Sequence, residues 1–145
     1  MRWYGTKIRH ASDRPSPDIQ LFALYHDATS TQALDRSTAL QRGLIAVANL
    51  FASRPDTGSN QVVMAHELLH TLGATDKYDP TNNLPLFPDG FADAARQPRY
   101  PQRHAEIMGG RIPIAPDKAE IPASLKLTRV GPATAAELRW TDADG

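Results

Sequence analysis

The chain has 145 residues with sixteen basic and sixteen acidic side chains, so its formal net charge is zero and no long-range field favours nucleic acid or an anionic membrane. It contains no cysteine, which removes disulfides, thiolate ligation and a thiol nucleophile together and leaves nitrogen and oxygen as the only donors for a metal. The length suits one compact domain burying close to ~70% of its unfolded surface, and no run approaches the ~18 apolar residues of a membrane span; oligomeric state has no signature.

The opening segment carries charge without the apolar core of a signal peptide and reads as mid-domain sequence, which leaves room for a preceding portion of the same unit. Residues 2–8 read as a weak strand, and Ile19 to His26, "IQLFALYH", as a buried one, since aromatic and branched residues follow a proline pair. Residues 28–41 are ambiguous between loop and short helix. Gly43 to Ser53, "GLIAVANLFAS", reads as a strand before the turn cluster "RPDTGSN". Ser59 or Asn60 then caps a helix over Gln61 to Leu72, which Gly73 ends because glycine accepts the left-handed C-terminal conformation. On that helix Val62, Ala65, Leu69 and Leu72 form one stripe, and Val63, His66, Glu67 and His70 the neighbouring one. From Pro80 to Pro116 the chain is dense in proline without periodicity, which predicts a long ordered loop of the kind that is often functional. The last part, "SLKLTRVGPATAAELRW", alternates on both sides of Gly131-Pro132 and predicts a β hairpin or the first strands of a following domain.

The helix carries the chemistry. Residues four apart lie one above the other, so His66 and His70 can aim two imidazoles at one point. Glu67 leans to the flank of that point, where a carboxylate is placed to take a proton rather than to ligate. The competing reading is a pair of satisfied core histidines. Beyond the helix, Gly73 stands three past His70 and Asp76 three further on, where a side chain can swing back.

With "HELLHTLGATD" complete, the chain resembles the metzincin clan of zinc metalloproteases, whose signature is H-E-x-x-H-x-x-G-x-x-H or D. The aspartate-ending variant is that of snapalysin-type enzymes, and "TDKYD" is similar to the D-E-Y-D of immune-inhibitor-type proteases. The clan's methionine-bearing turn is matched by "AEIMGGR", Ala105 to Arg111. The resemblance implies an α+β fold, a twisted sheet over the active-site helix with a loop-rich lower subdomain, filling residues 1–116, with 117–145 as the C-terminal hairpin or start of another domain. It implies a Zn²⁺ cofactor held by His66, His70 and a third ligand, Asp76 or alternatively Glu106, with Glu67 as general base, Gly73 at the turn and Met108 as the floor. His104 and Asp79 read as loop and turn residues. Tyr78 either donates to a developing oxyanion or packs the turn after the helix; the clan's tyrosine position holds Gly110 here, so that donor is absent or comes from elsewhere, Tyr100 included. Gly109, Gly110 and Arg111 fall where the clan builds its pocket for the residue after the scissile bond.

The function these residues predict is a zinc-dependent endopeptidase acting on peptide or protein substrates. A non-catalytic zinc-containing peptide-binding module and a zinc amidase acting on small or cell-wall peptides are the alternatives. Family analogy favours a secreted or periplasmic setting, no nucleic-acid or membrane partner is expected, and the absence of cysteine excludes a thiol latency switch. An extended substrate is expected to pair with the strand over Gly43 to Ser53.

Overall fold

A computed structural model describes residues 19–27, 29, 34–35, 37–41 and 44–140, and the weak strand expected over residues 2–8 lies outside them. The architecture is α+β. Strands β1 (Gln20–His26), β2 (Thr38–Leu40) and β3 (Ile45–Phe51) form a mixed sheet in the order β1-β3-β2, with β1 parallel and β2 antiparallel to β3. β3 is central, and Ala46, Ala48 and Leu50 on one of its faces are fully buried, the period of two expected of a half-covered strand. Helix α1 (Thr57–Thr71) packs chiefly on β3 and also on β2.

The helix starts four residues earlier than predicted, at the N-cap Asp56. Ser53 bonds the Asp56 carboxylate, and the Ser59 hydroxyl donates to the Asp56 carbonyl at 3.0 Å. Asn60, expected as a cap, instead ties the helix to the sheet: its amide nitrogen donates to the Phe51 carbonyl at 2.8 Å and its oxygen accepts from the Phe51 N–H at 3.2 Å. The C-terminus is a Schellman motif. Ala74 N–H bonds Leu69 O at 3.0 Å and Gly73 N–H bonds His70 O at 3.1 Å, with Gly73 at φ +108°, a conformation only glycine adopts freely. Leu72, assigned to the buried stripe, is the C-cap and is 41% exposed, because the helix has already ended.

Residues 80–104 form no regular element, as their prolines predict, and are ordered by specific bonds in place of a ladder, whereas Ala105–Glu106 and Ile112–Ala115, also expected as loop, are short strands. Lys77 N–H donates to Met108 O at 2.9 Å and Leu86 N–H to Lys77 O at 2.8 Å. Buried Gln102 bonds the backbone of Asp93 on both sides and the Arg99 carbonyl. A Cβ on Gly109 would stand 2.5 Å from the Gly90 carbonyl oxygen, so two backbone segments cross where only a residue without a side chain fits.

The C-terminal part corrects the prediction of a terminal hairpin or new domain beginning at 117. The hairpin is β5 (Ile112–Ala115) with β6 (Lys118–Glu120), and the expected boundary falls inside its turn. A 3₁₀ turn over Leu125–Leu127 follows, then β7 (Thr128–Arg129), which pairs in parallel with β4 (Ala105–Glu106) beside the methionine turn. Residues Pro132–Glu137 form helix α2, not a strand: Pro132 occupies its first position, where a missing N–H costs nothing, and an alanine-rich stretch continues it. Leu138 joins Leu69, Ala74, Ile107 and Met108 in one buried cluster, so this segment completes the core under α1. Among the described residues no helix is long and apolar enough to cross a membrane.

Candidate metal centre

Three of the predicted residues converge. His66 Nε2 and His70 Nε2 stand 3.0 Å apart, and Asp76 Oδ1 lies 3.1 Å from each. The other ring nitrogens are fixed by the backbone. His66 Nδ1 is 2.9 Å from the Ile107 carbonyl and His70 Nδ1 is 2.8 Å from the Ala74 carbonyl. A carbonyl oxygen only accepts, so each Nδ1 carries the proton and each neutral ring turns a lone pair towards the shared point. With both rings neutral, two lone pairs and a carboxylate oxygen face one another with no donor among them, an arrangement that a bound cation or a shared proton would satisfy.

A zinc ion fits the arrangement. Bonds of about 2.0–2.2 Å at tetrahedral angles separate donor atoms by roughly 3.3 Å, within a few tenths of the separations here, and the nitrogen and oxygen donors are zinc's usual partners. The carbonyls behind the rings are the type of group that fixes tautomer and orientation in histidine metal sites. A proton is the lesser substitute. Burial alone would lower the His70 pKa, but the Asp76 carboxylate and the Ala74 carbonyl outweigh it and the net shift is upward. Burial likewise pushes the half-exposed Asp76 carboxyl up, and its bonds to His66 and His70 reverse this, holding it well below the carboxylate range.

Glu67 is also near: one of its oxygens and the two imidazoles lie within 4.8 Å of one another, so by proximity it competes with Asp76 as the third group. Contact favours Asp76. Asp76 closes the triangle at 3.1 Å, whereas Glu67 stands back, with Oε2 buried and without a hydrogen-bond partner. Burial raises its pKa, partly offset by the two imidazoles.

Glu106 sits elsewhere. It is fully buried; Oε2 accepts from Met108 N–H at 2.7 Å and Gly109 N–H at 2.9 Å, and Oε1 accepts from Gly131 N–H at 3.0 Å. Both oxygens are therefore committed to the backbone, and the carboxylate holds the methionine turn closed. In that turn the Glu106 carbonyl accepts from Gly109 and Gly110 N–H, each at 3.0 Å. Met108 is fully buried against Leu69 and Ala74, beneath the end of α1 that carries His70.

A cavity of about 170 Å³ opens beside His66, lined by Val62, Val63, Tyr78, Asn83 and the Gly109 to Arg111 segment. The Tyr78 ring is 6.2 Å from that of His66, whereas Tyr100 meets Phe91 edge-to-face at 5.8 Å. His104 accepts from the Arg129 guanidinium at 3.0 Å, and Asp79 accepts from Thr81 in a local turn. The strand expected to pair with an extended substrate, β3, is flanked along its whole length by β1 and over residues 45–47 by β2, so among the described residues only its stretch over 48–51 lacks a neighbouring strand on one side.

Sequence reasoning missed the residues that brace Asp76. Lys77, buried, donates to Glu137 of α2 at 2.7 Å, and Thr75 donates to the same carboxylate. The helix that carries Glu137 was signalled by "GPATAAE", with proline at the first helical position and alanines after it, but nothing local to either residue signals the pairing of Glu137 with Lys77. No protein-family model, curated protein or solved structure matches the chain.

Proposed function

We propose that the protein is a zinc-dependent endopeptidase with a metzincin-like domain, in which His66, His70 and Asp76 hold the metal and Glu67 is the general base. The convergence of two imidazole lone pairs and one carboxylate oxygen, all at 3.0–3.1 Å and with no donor among them, carries this reading. Three protein ligands are the catalytic pattern, and zinc so held lowers the pKa of water towards about 7 and polarises a carbonyl.

The chain's own residues supply the rest. Glu67, buried and with one unpartnered oxygen, is suited to hold a water, take its proton and return it to the leaving amine. Its presence favours the hydrolase over a purely structural zinc module, in which a buried unpartnered carboxylate is only a cost. The cavity beside His66 has room for one side chain of a peptide, with apolar walls from Val62 and Val63 and with Arg111 among its lining residues. Tyr78, in the same wall, is the aromatic hydroxyl best placed to meet the scissile group.

Glu67→Gln tests the assignment. The variant is expected to bind one zinc per chain with near-native affinity while casein cleavage falls by about 10²–10⁴-fold, the contribution of a positioned base. Native turnover in Glu67→Gln removes the base; absence of zinc binding in the wild-type chain removes the whole reading.

A further inference from the structure

Asp76 is the weakest-held member of the triad. Its side chain is 44% exposed and it lies in a stretch without secondary structure, whereas both histidines belong to α1. An exposed carboxylate on a free loop samples many positions, and fixing it would consume binding free energy. The two residues flanking it are nevertheless held by a single group. Glu137 Oε2 accepts from Thr75 N–H at 2.9 Å and from Lys77 Nζ at 2.7 Å, and Glu137 Oε1 accepts from the Thr75 hydroxyl at 2.7 Å. Lys77 Nζ also donates to the Thr75 carbonyl at 3.0 Å, bridging across Asp76 from one side to the other.

We propose that Glu137 is a positioning residue for the metal centre: through Thr75 and Lys77 it fixes the backbone that presents Asp76, so that helix α2 latches the third ligand in place. The inference rests on the metal reading above. Three features make the latch more than a surface ion pair. The Lys77 side chain is only 6% exposed, and a buried ammonium needs its partner. The Lys77 backbone is itself pinned, N–H to Met108 O and O to Leu86 N–H, so the latch joins a rigid frame. α2 is fixed in turn, since Leu138 immediately after it lies in the cluster with Leu69 and Met108. The Glu137 carboxylate thus contacts both neighbours of Asp76 and neither histidine, which predicts an effect specific to the third ligand.

The test uses the full chain, stripped of metal and titrated with Zn²⁺ against a chromophoric chelator, then loaded with Co²⁺, whose visible absorption reports ligand number and geometry. Glu137→Gln is expected to weaken zinc affinity by about 10- to 100-fold, the range for groups that orient ligands, and to change the cobalt spectrum. Thr75→Val, an exposed position that loses one of the three bonds and keeps the fold, is expected to do the same by a smaller factor, and it decides the matter alone if Glu137→Gln does not fold. Asp76→Ala, run beside them, is expected to lose more than either. If Asp76→Ala binds zinc as the wild type does, the metal assignment itself has failed and the latch with it. If Asp76→Ala weakens binding while Glu137→Gln and Thr75→Val keep wild-type affinity and cobalt spectrum, the positioning role alone is overturned.

Discussion

Glu106→Gln separates a structural carboxylate from a ligand. The native side chain receives three backbone N–H groups, two on Oε2 at 2.7 and 2.9 Å and one on Oε1 at 3.0 Å, in a site with no solvent exposure. Glutamine offers one acceptor oxygen. With its carbonyl turned to Met108 and Gly109, its NH₂ confronts the Gly131 N–H, and a buried donor loses its partner at a cost of about 1–3 kcal/mol. The two surviving bonds lose their charge assistance, roughly half their strength. The sum is about 3 kcal/mol, a large share of the ~5–15 kcal/mol of a typical domain. At a urea m-value of about 2 kcal/mol/M, the unfolding midpoint should fall by about 1–2 M. The loss should appear in metal-free and zinc-loaded protein alike, and one zinc per chain should still bind, more weakly because the turn also carries the Ile107 carbonyl that orients His66. If metal-free stability stays within about 0.5 kcal/mol of wild type while zinc binding vanishes, Glu106 is a ligand and the turn-holding role is wrong.

Metal-free stability should peak on the acid side of neutrality. The His70 pKa is raised above 6.5, so its contribution is fully present below that value and is lost as pH rises through the folded pKa. Asp76 is depressed below 3.8, so its contribution is present above that value and is lost as pH falls towards the folded one. Glu67, raised above 4.5 by burial, contributes fully below that value and loses the contribution as pH rises through the folded pKa, so it adds to the decline with rising pH from the acid end. Zinc must displace the His70 proton, so zinc affinity should fall as the solution is acidified through the folded His70 pKa; urea midpoints across pH 3–9 with and without metal measure both trends, and parallel curves contradict them. Gly73→Ala places a side chain at φ +108° with its Cβ 2.8 Å from Gln41 Nε2. Gln41 can swing away but the backbone strain stays, so a loss of about 1–2 kcal/mol is expected, together with weaker zinc binding through the displaced Ala74 carbonyl; unchanged thermal unfolding would show that the turn tolerates the strain.

The parts of the molecule that were legible are those with local physical signals. The apolar runs ending at His26 and Phe51 read as strands because branched and aromatic residues crowd them, and their observed limits differ by only a residue or two; the first was expected to be buried, yet it is an edge strand of the described sheet that exposes Phe22, Leu24 and Tyr25. The i, i+4 histidines, the glycine stop and the aspartate beyond it are likewise consequences of spacing on one short stretch. What was illegible depended on distant partners. Asn60 has the side chain of a cap, yet its amide is taken by the Phe51 backbone. Glu106 and Asp76 are both carboxylates near the site, and only the N–H groups of Gly131 and the Met108 turn, brought together by the β4 and β7 pairing, assign one to the frame. For Lys77 and Glu137, sixty residues apart, no local pattern announces the pair. The misread C-terminal helix was different, since its proline start was in view and was overruled by an alternation too short to carry the inference.

The two carbonyls behind the imidazoles bear on what either ring could be exchanged for. Ala74 and Ile107 take up the Nδ1 protons, so a replacement side chain without an N–H on that side would leave a main-chain oxygen unanswered. A substitute at position 66 or 70 is therefore judged by its back as much as by its front.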